Sequence, residues 1–257
     1  MCHEITGHPP FPPITGGSGA ASGARLVLNA VDGNRSRAFA ATAIDTGAAG
    51  AVILPDVRGL HPFYEDLAVR FAEAGIHATA IDYFGRTAGI GDRDEDFDFR
   101  AHVERMTDEG TSADIAAGIA HVRSEPGGGA ERVFTVGFCM GGRISFVQAA
   151  ERDGLTGVIG FYGSPTGRGP GDPRAPIALV PSFRCPVLGL FGGADDGIPG
   201  EELDRFRRTM DEAGVPNEIV VYPRAPHSFF DRRYEQHREA CEDAWRRILT
   251  FVRTGQV

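Results

Sequence analysis

One hexapeptide restricts this chain more than any other feature. Gly137-Phe138-Cys139-Met140-Gly141-Gly142 lies between an apolar run ending at Gly137 and an amphipathic stretch that continues to about residue 152. Glycines two before and two after the central residue let a strand approach a helix closely through a sharp turn. The central residue is then forced into a strained backbone conformation that lifts its side chain clear of the main chain. A thiol in that place faces a helix N-terminus, which lowers a thiol's pKa. The Met140 N–H belongs to the same turn and is directed at any negative charge developing on an oxygen in front of the sulfur.

The rest of the pattern supplies the scaffold such a turn requires. Residues 25–31 and 37–43 read as an antiparallel pair joined at Asp32-Gly33-Asn34, and 50–55 (GAVILP) as a strand covered on both faces. A helix is expected over 62–75, a strand over 76–82, and a glycine-rich, then strongly charged, loop or lid with a short helix over 84–108. Thr111 or Ser112 is the expected cap of a helix over 111–124, which Pro126 and three glycines stop. Strands at 156–162, 186–191 and 218–222 alternate with helices at 200–213 and 233–253. Repeated strand–helix units imply right-handed crossovers, hence an α/β fold with a mostly parallel central sheet and helices on both faces. Residues 1–24, rich in Pro, Gly, Ser and Ala, read as an extended or mobile lead-in that Phe11 and Ile14 anchor, and 25–257 as one domain.

In such a sheet the chemistry collects at the carboxyl ends of the strands. Past the apolar run that ends at Phe191 come Gly192-Gly193-Ala194-Asp195-Asp196-Gly197-Ile198-Pro199, an acid in a glycine-rich turn. Asp195 is the expected orienter of a general base, with Asp196 as the alternative. Past the last strand come Pro223-Arg224-Ala225-Pro226-His227-Ser228-Phe229, a histidine in a stiff, proline-containing loop. Nucleophile, acid, histidine is the chain order of the α/β-hydrolase fold, which chymotrypsin-like and subtilisin-like enzymes do not share. Cys139, Asp195 and His227 are the expected catalytic residues.

Charge and cysteine content narrow the function classes. With 26 basic against 35 acidic residues the net charge is −9, a field that repels phosphate backbones, so no nucleic-acid partner is expected. The four cysteines, Cys2, Cys139, Cys185 and Cys241, form no C-x-x-C pair, and no metal or organic cofactor is expected. The start resembles no signal peptide and no apolar run is long enough for a bilayer, so the expected location is the cytoplasm, without membrane association. The chain is expected to act as a monomer or homodimer.

From about residue 25 to 253 the sequence resembles the dienelactone hydrolase family of α/β-hydrolases. The likeness rests on Gly-Phe-Cys-Met-Gly-Gly around Cys139, Gly-x-x-Asp-x-x-Ile-Pro around Asp195 and Pro-His-Ser-Phe around His227. Leu54-Pro55-Asp56-Val57-Arg58-Gly59 and Asp82-Tyr83-Phe84-Gly85-Arg86 match as well. The resemblance implies hydrolysis of a small-molecule ester or lactone, dienelactone (carboxymethylenebutenolide) being the family's known substrate. It implies that the Val57 N–H completes an oxyanion hole with Met140. Asp56 falls where the family has a glutamate that helps to ionise the thiol. Substrate contacts are implied at Arg86, Tyr83 and Phe229; Arg86 would bind a substrate carboxylate, and Asp231, beside Arg232 and Arg233, stands where the family has a second arginine. Two other readings remain: a general carboxylesterase or thioesterase for a neutral substrate, and a non-catalytic member that binds a ligand in the same pocket.

Overall fold

A computed structural model describes residues 8–12, 22–44, 48–93, 96–167, 172–231 and 234–257. Ile14, Arg232 and Arg233 lie outside these residues, and with them the expectations that named them. The chain divides into two compact units, residues 1–9 with 14–133 and residues 10–13 with 134–257.

The first unit opens on a hairpin. β1 (Ser22–Asn29) and β2 (Arg35–Thr42) pair antiparallel, from Ser22 opposite Thr42 to Asn29 opposite Arg35. In the connecting turn the Ala30 N–H donates to the Asn34 carbonyl at 2.8 Å, and Gly33 takes a φ of 84°, a value that L side chains rarely adopt. β3 (Ala49–Leu54) is buried at every position, as its unbroken apolar run requires. α1 (Pro62–Glu73) starts on proline, whose fixed φ suits a first helical turn, and buries Phe63, Leu67 and Phe71 at helical spacing. β4 (His77–Ile81) lies between β2 and β3, antiparallel to one and parallel to the other.

The described residues of 84–108 include two short helices, α2 (Gly85–Ala88) and α3 (Phe99–Val103). They are tied to their unit: Arg93 Nη1 lies 2.6 Å from the buried Asp82 carboxylate, and its guanidinium covers the rings of Phe84 and Phe97. Phe97 stacks on His102, whose Nδ1 meets the Thr87 hydroxyl at 2.8 Å.

α4 (Asp108–Arg123) begins three residues before Thr111. The cap is Thr107, whose Oγ1 accepts the Gly110 N–H at 3.1 Å, rather than Thr111 or Ser112. Asp108 and Glu109 then occupy the first turn, where negative charge complements the helix dipole. α1 packs on β2 and β4, and α4 on β3 and β4.

The second unit takes up β5 (Arg132–Phe138) from Phe134 onward. It continues through α5 (Met140–Glu151), β6 (Gly157–Phe161), α6 (Pro176–Leu179), β7 (Val187–Gly192), α7 (Gly200–Glu212), β8 (Asn217–Tyr222) and α8 (Arg238–Thr254). β5, β6, β7 and β8 are neighbours in that order and run parallel. Two glycines of β6 show how it is covered. A Cβ at Gly160 would strike the Phe146 ring of α5, and one at Gly157 the Phe251 ring of α8. Positions an odd number apart in a strand face opposite ways, so α5 and α8 lie on opposite faces of β6.

Trp245 of α8 is fully buried and donates its indole N–H to the Pro10 carbonyl at 3.0 Å. The lead-in is therefore held at Pro10; Phe11, the expected anchor, is 63% exposed. Among the described residues no helix is long and apolar enough to cross a membrane, and no cluster of three His, Cys, Asp or Glu side chains could hold a metal ion.

Candidate active site

The four parallel strands of the second unit deliver their carboxyl ends to one edge. Cys139 follows β5, Tyr162 follows β6, Asp195 lies in the turn after β7, and His227 in the loop after β8.

Cys139 has φ 55° and ψ −114°, the strained conformation expected at the strand–helix turn. Its N–H donates to the Phe161 carbonyl at 3.0 Å, and its carbonyl accepts the Arg143 N–H at 3.1 Å. A side chain at Gly137 would place its Cβ 1.9 Å from the Gly141 carbonyl oxygen, so only glycine permits this approach. Met140 is the first residue of α5; its N–H sits in the first turn, where no intrahelical carbonyl is in reach.

The carboxylate of Asp195, with a side chain 5% exposed, meets His227 Nδ1 at 2.6 Å through Oδ2 and accepts the Gly197 N–H at 3.0 Å through Oδ1. Asp196 is exposed, and Asp195 is the acid that reaches the imidazole. Two backbone bonds stitch the acid turn to the histidine loop: Gly193 N–H to the Tyr222 carbonyl at 2.7 Å and Ala194 N–H to the Ala225 carbonyl at 3.0 Å. With Nδ1 on Asp195, the remaining ring nitrogen is left for Cys139, which also hydrogen-bonds His227. Burial disfavours the imidazolium, but the bonds to Asp195 and Cys139 outweigh it and raise the pKa to about 9. The structure thus brings together Cys139, His227 and Asp195, with Met140 beside the sulfur-bearing residue.

The other described cysteines differ from Cys139. Cys185 and Cys241 are buried, and burial pushes each thiol up to about 12, which keeps it protonated and unreactive.

Residues expected from the resemblance fall less uniformly. Phe229 was expected against the substrate, but it is fully buried, packed on Phe161, Tyr162 and Tyr222 beneath the histidine loop. An apolar ring two residues past a loop histidine goes into the core when the loop folds back on the sheet. Arg86 was expected to clamp a substrate carboxylate. Its guanidinium instead forks onto Asp114, Nε to Oδ2 and Nη2 to Oδ1, both at 3.0 Å, and also pairs with Asp32. Tyr83 is buried and donates its hydroxyl to the Pro55 carbonyl at 3.0 Å.

Asp56 and Val57 lie in the first unit just after β3. Burial raises the carboxyl pKa of Asp56, but His61 and Arg58 more than offset it and hold it below the usual carboxylate range. One Asp56 oxygen accepts the Arg58 N–H at 2.8 Å, and the backbone N–H of Asp56 donates to the Tyr64 hydroxyl at 2.9 Å.

Sequence reasoning did not anticipate the backbone at Tyr162 and Ser228. Both have positive φ, 38° and 59°, and Ser228 directly follows His227. The signal available for Tyr162 was its position: the last residue of a predicted strand, immediately before a glycine, at the edge where chemistry collects.

Comparison with known proteins places these observations. A sequence model described as the dienelactone hydrolase family matches residues 37–255. A protein of Escherichia coli O157:H7 named "Putative carboxymethylenebutenolidase" is 31% identical over 207 residues, 79% of this chain and 75% of that protein. The carboxymethylenebutenolidase of Rhodococcus opacus is 28% identical over 259 residues, 98% of this chain and 96% of its own. A crystal structure named "Putative Dienelactone Hydrolase", from Klebsiella pneumoniae subsp. pneumoniae MGH 78578, superposes with a TM-score of 0.80 at 28% identity, over 92% of this chain and all of the other.

Proposed function

The chain belongs to the dienelactone hydrolase family, and on that premise we propose that it hydrolyses a carboxylic ester or lactone through Cys139, His227 and Asp195. One observation carries the reading: a cysteine at φ 55°, on a strand–helix turn, shares a histidine with a buried aspartate.

The steps follow from the geometry. The thiol proton passes to His227, and the sulfur attacks the carbonyl carbon. The oxygen takes up negative charge in front of the Met140 N–H and the N-terminal turn of α5. As the tetrahedral species collapses to a thioester, the imidazolium returns a proton to the departing alkoxide; in a lactone that oxygen stays on the same molecule. The imidazole then removes a proton from water, which attacks the thioester and frees the acid and the sulfur. Asp195 holds the ring in one tautomer and balances its charge throughout.

The test is acyl-enzyme trapping with p-nitrophenyl acetate. The intact protein should gain one acetyl group on Cys139 and turn over; Cys139→Ala should do neither. Near-wild-type turnover by Cys139→Ala overturns the proposal.

A second reading, a carboxylesterase for neutral substrates, is favoured by one observation: the Arg86 guanidinium is already engaged by Asp32 and Asp114. Turnover of dienelactone compared with that of short p-nitrophenyl esters separates the two.

A further inference from the structure

Among the described residues three non-glycine positions have positive φ: Cys139, Ser228 and Tyr162. The first is the proposed nucleophile and the second adjoins the proposed base. Tyr162 belongs to neither, yet a bulky, fully buried side chain carries the same backbone strain. Its ring shows what the strained turn aims. The centroid lies 4.9 Å from that of the His227 imidazole, at an interplanar angle of 53°. The ring is itself fixed by Phe138, Phe161 and Phe229, at 6.3, 5.9 and 5.8 Å. The backbone is fixed as well: the Tyr162 N–H donates to the Leu190 carbonyl at 2.9 Å.

We propose that Tyr162 is a positioning residue for His227, its ring packing against the imidazole to hold it between Asp195 and Cys139 and to favour its charged form; the inference rests on the hydrolase reading of the same site. Asp195 and Cys139 hold the imidazole by its two ring nitrogens, contacts that leave the tilt of the ring about the line between them unset. A rigid aromatic ring against it removes this freedom. An imidazolium within about 6 Å of a tyrosine centroid is also attracted to the ring's electron-rich face more strongly than the neutral imidazole is. Burial works against the charged imidazole here, so this attraction acts in the direction in which the pKa of His227 is displaced. Among the described residues, Asp195, Cys139 and Tyr162 face the imidazole.

The experiment compares wild type, Tyr162→Phe and Tyr162→Leu in two readouts: p-nitrophenyl acetate hydrolysis, and the pH profile of Cys139 alkylation by iodoacetamide. Tyr162→Phe keeps the ring and should match wild type in both. Tyr162→Leu should lose about ten-fold in kcat with KM nearly unchanged, and the step in the alkylation profile that follows His227 should move about one pH unit down. A Tyr162→Leu profile that coincides with wild type overturns the proposal, and so does Tyr162→Phe failing as Tyr162→Leu does, since the hydroxyl would then carry the effect. Should Tyr162→Leu not fold, proton NMR of the wild type decides. Ring-current-shifted His227 resonances that persist in Tyr162→Phe support the contact; unshifted resonances overturn it. Absence of hydrolysis and of acetylation in wild type itself overturns the hydrolase reading, whereas the alkylation profile still reports on the ring contact.

Discussion

Asp195 and His227 meet through a single short contact, Oδ2 to Nδ1 at 2.6 Å, while the second carboxylate oxygen is occupied by the Gly197 N–H. The acid is therefore anchored on its own turn before it orients the ring. Asp195→Asn keeps an oxygen for Gly197 but turns an amide N–H₂ toward Nδ1, which imposes the wrong tautomer. We expect kcat to fall by about 10²–10⁴-fold in Asp195→Asn. Asp196→Asn, altering an exposed neighbour, should leave kcat unchanged. Steady-state hydrolysis of p-nitrophenyl acetate by the two variants checks this directly, and equal losses would remove Asp195 from its assigned part.

The same pair sets a pH dependence of stability. In the fold His227 titrates at about 9, above the 6.5 of an ordinary histidine. A raised pKa means that the folded state holds the proton more tightly, so the contribution is complete below pH 6.5 and is lost as the pH rises toward 9. Its full size is about 3 kcal/mol. Chemical denaturation at a series of pH values should show stability declining through this window. In Cys139→Ala, where only Asp195 still holds the imidazolium, the decline should begin at lower pH. A flat profile in wild type contradicts the coupling.

His77 has the opposite sign. It is buried in β4, accepts the Ala43 N–H on Nδ1 at 3.2 Å, and lies so close to Gly128 that an added Cβ would meet its ring at 2.2 Å. Burial lowers its pKa below 6.5, so the fold favours its neutral form. Its contribution is present above pH 6.5 and is lost as the pH falls further. We expect the stability advantage of wild type over His77→Gln to shrink as the pH is lowered from about 7 to about 5. Burial lowers the pKa of His121 as well, so it adds acid sensitivity of the same sign. An advantage that is constant with pH would show that His77 acts through packing alone.

What the sequence made legible was local. The strained turn at Cys139, the acid after β7 and the histidine after β8 each combine a strand end with glycines or prolines within a few residues, and all three were found in place. Thr107 was passed over as a cap because Thr111 and Ser112 compete for the same signal, and choosing between them needs the backbone path. Tyr162 was passed over because nothing in its neighbours' identities reveals a positive φ. The surroundings of Phe229 and Arg86 were hidden for a different reason: their partners are remote in sequence. Phe229 packs on residues 161 and 162, and Arg86 bonds Asp32 and Asp114, 54 and 28 positions away. A motif match gives the residue type at such a position, but packing and ion pairing decide where the side chain goes.

Arg86 therefore offers the sharpest contrast between a binding and a structural part. Its guanidinium is forked on the Asp114 carboxylate, whose side chain is 1% exposed, and Asn34 Nδ2 donates to the same carboxylate at 2.9 Å. Burial raises the Asp114 carboxyl pKa, and the hydrogen bonds from Arg86 and Asn34 oppose that rise. Arg86→Met leaves a buried carboxylate without its counter-ion and should cost about 3–5 kcal/mol in chemical denaturation. The double variant Arg86→Met/Asp114→Asn removes that charge as well and should recover at least half of the loss, since the two residues form one interaction. A structural part also makes a kinetic demand. For a pair of esters differing only in a carboxylate, the kcat/KM ratio should be the same in Arg86→Met as in wild type. A selective loss for the carboxylate-bearing ester would return Arg86 to the substrate and make the ion pair with Asp114 secondary.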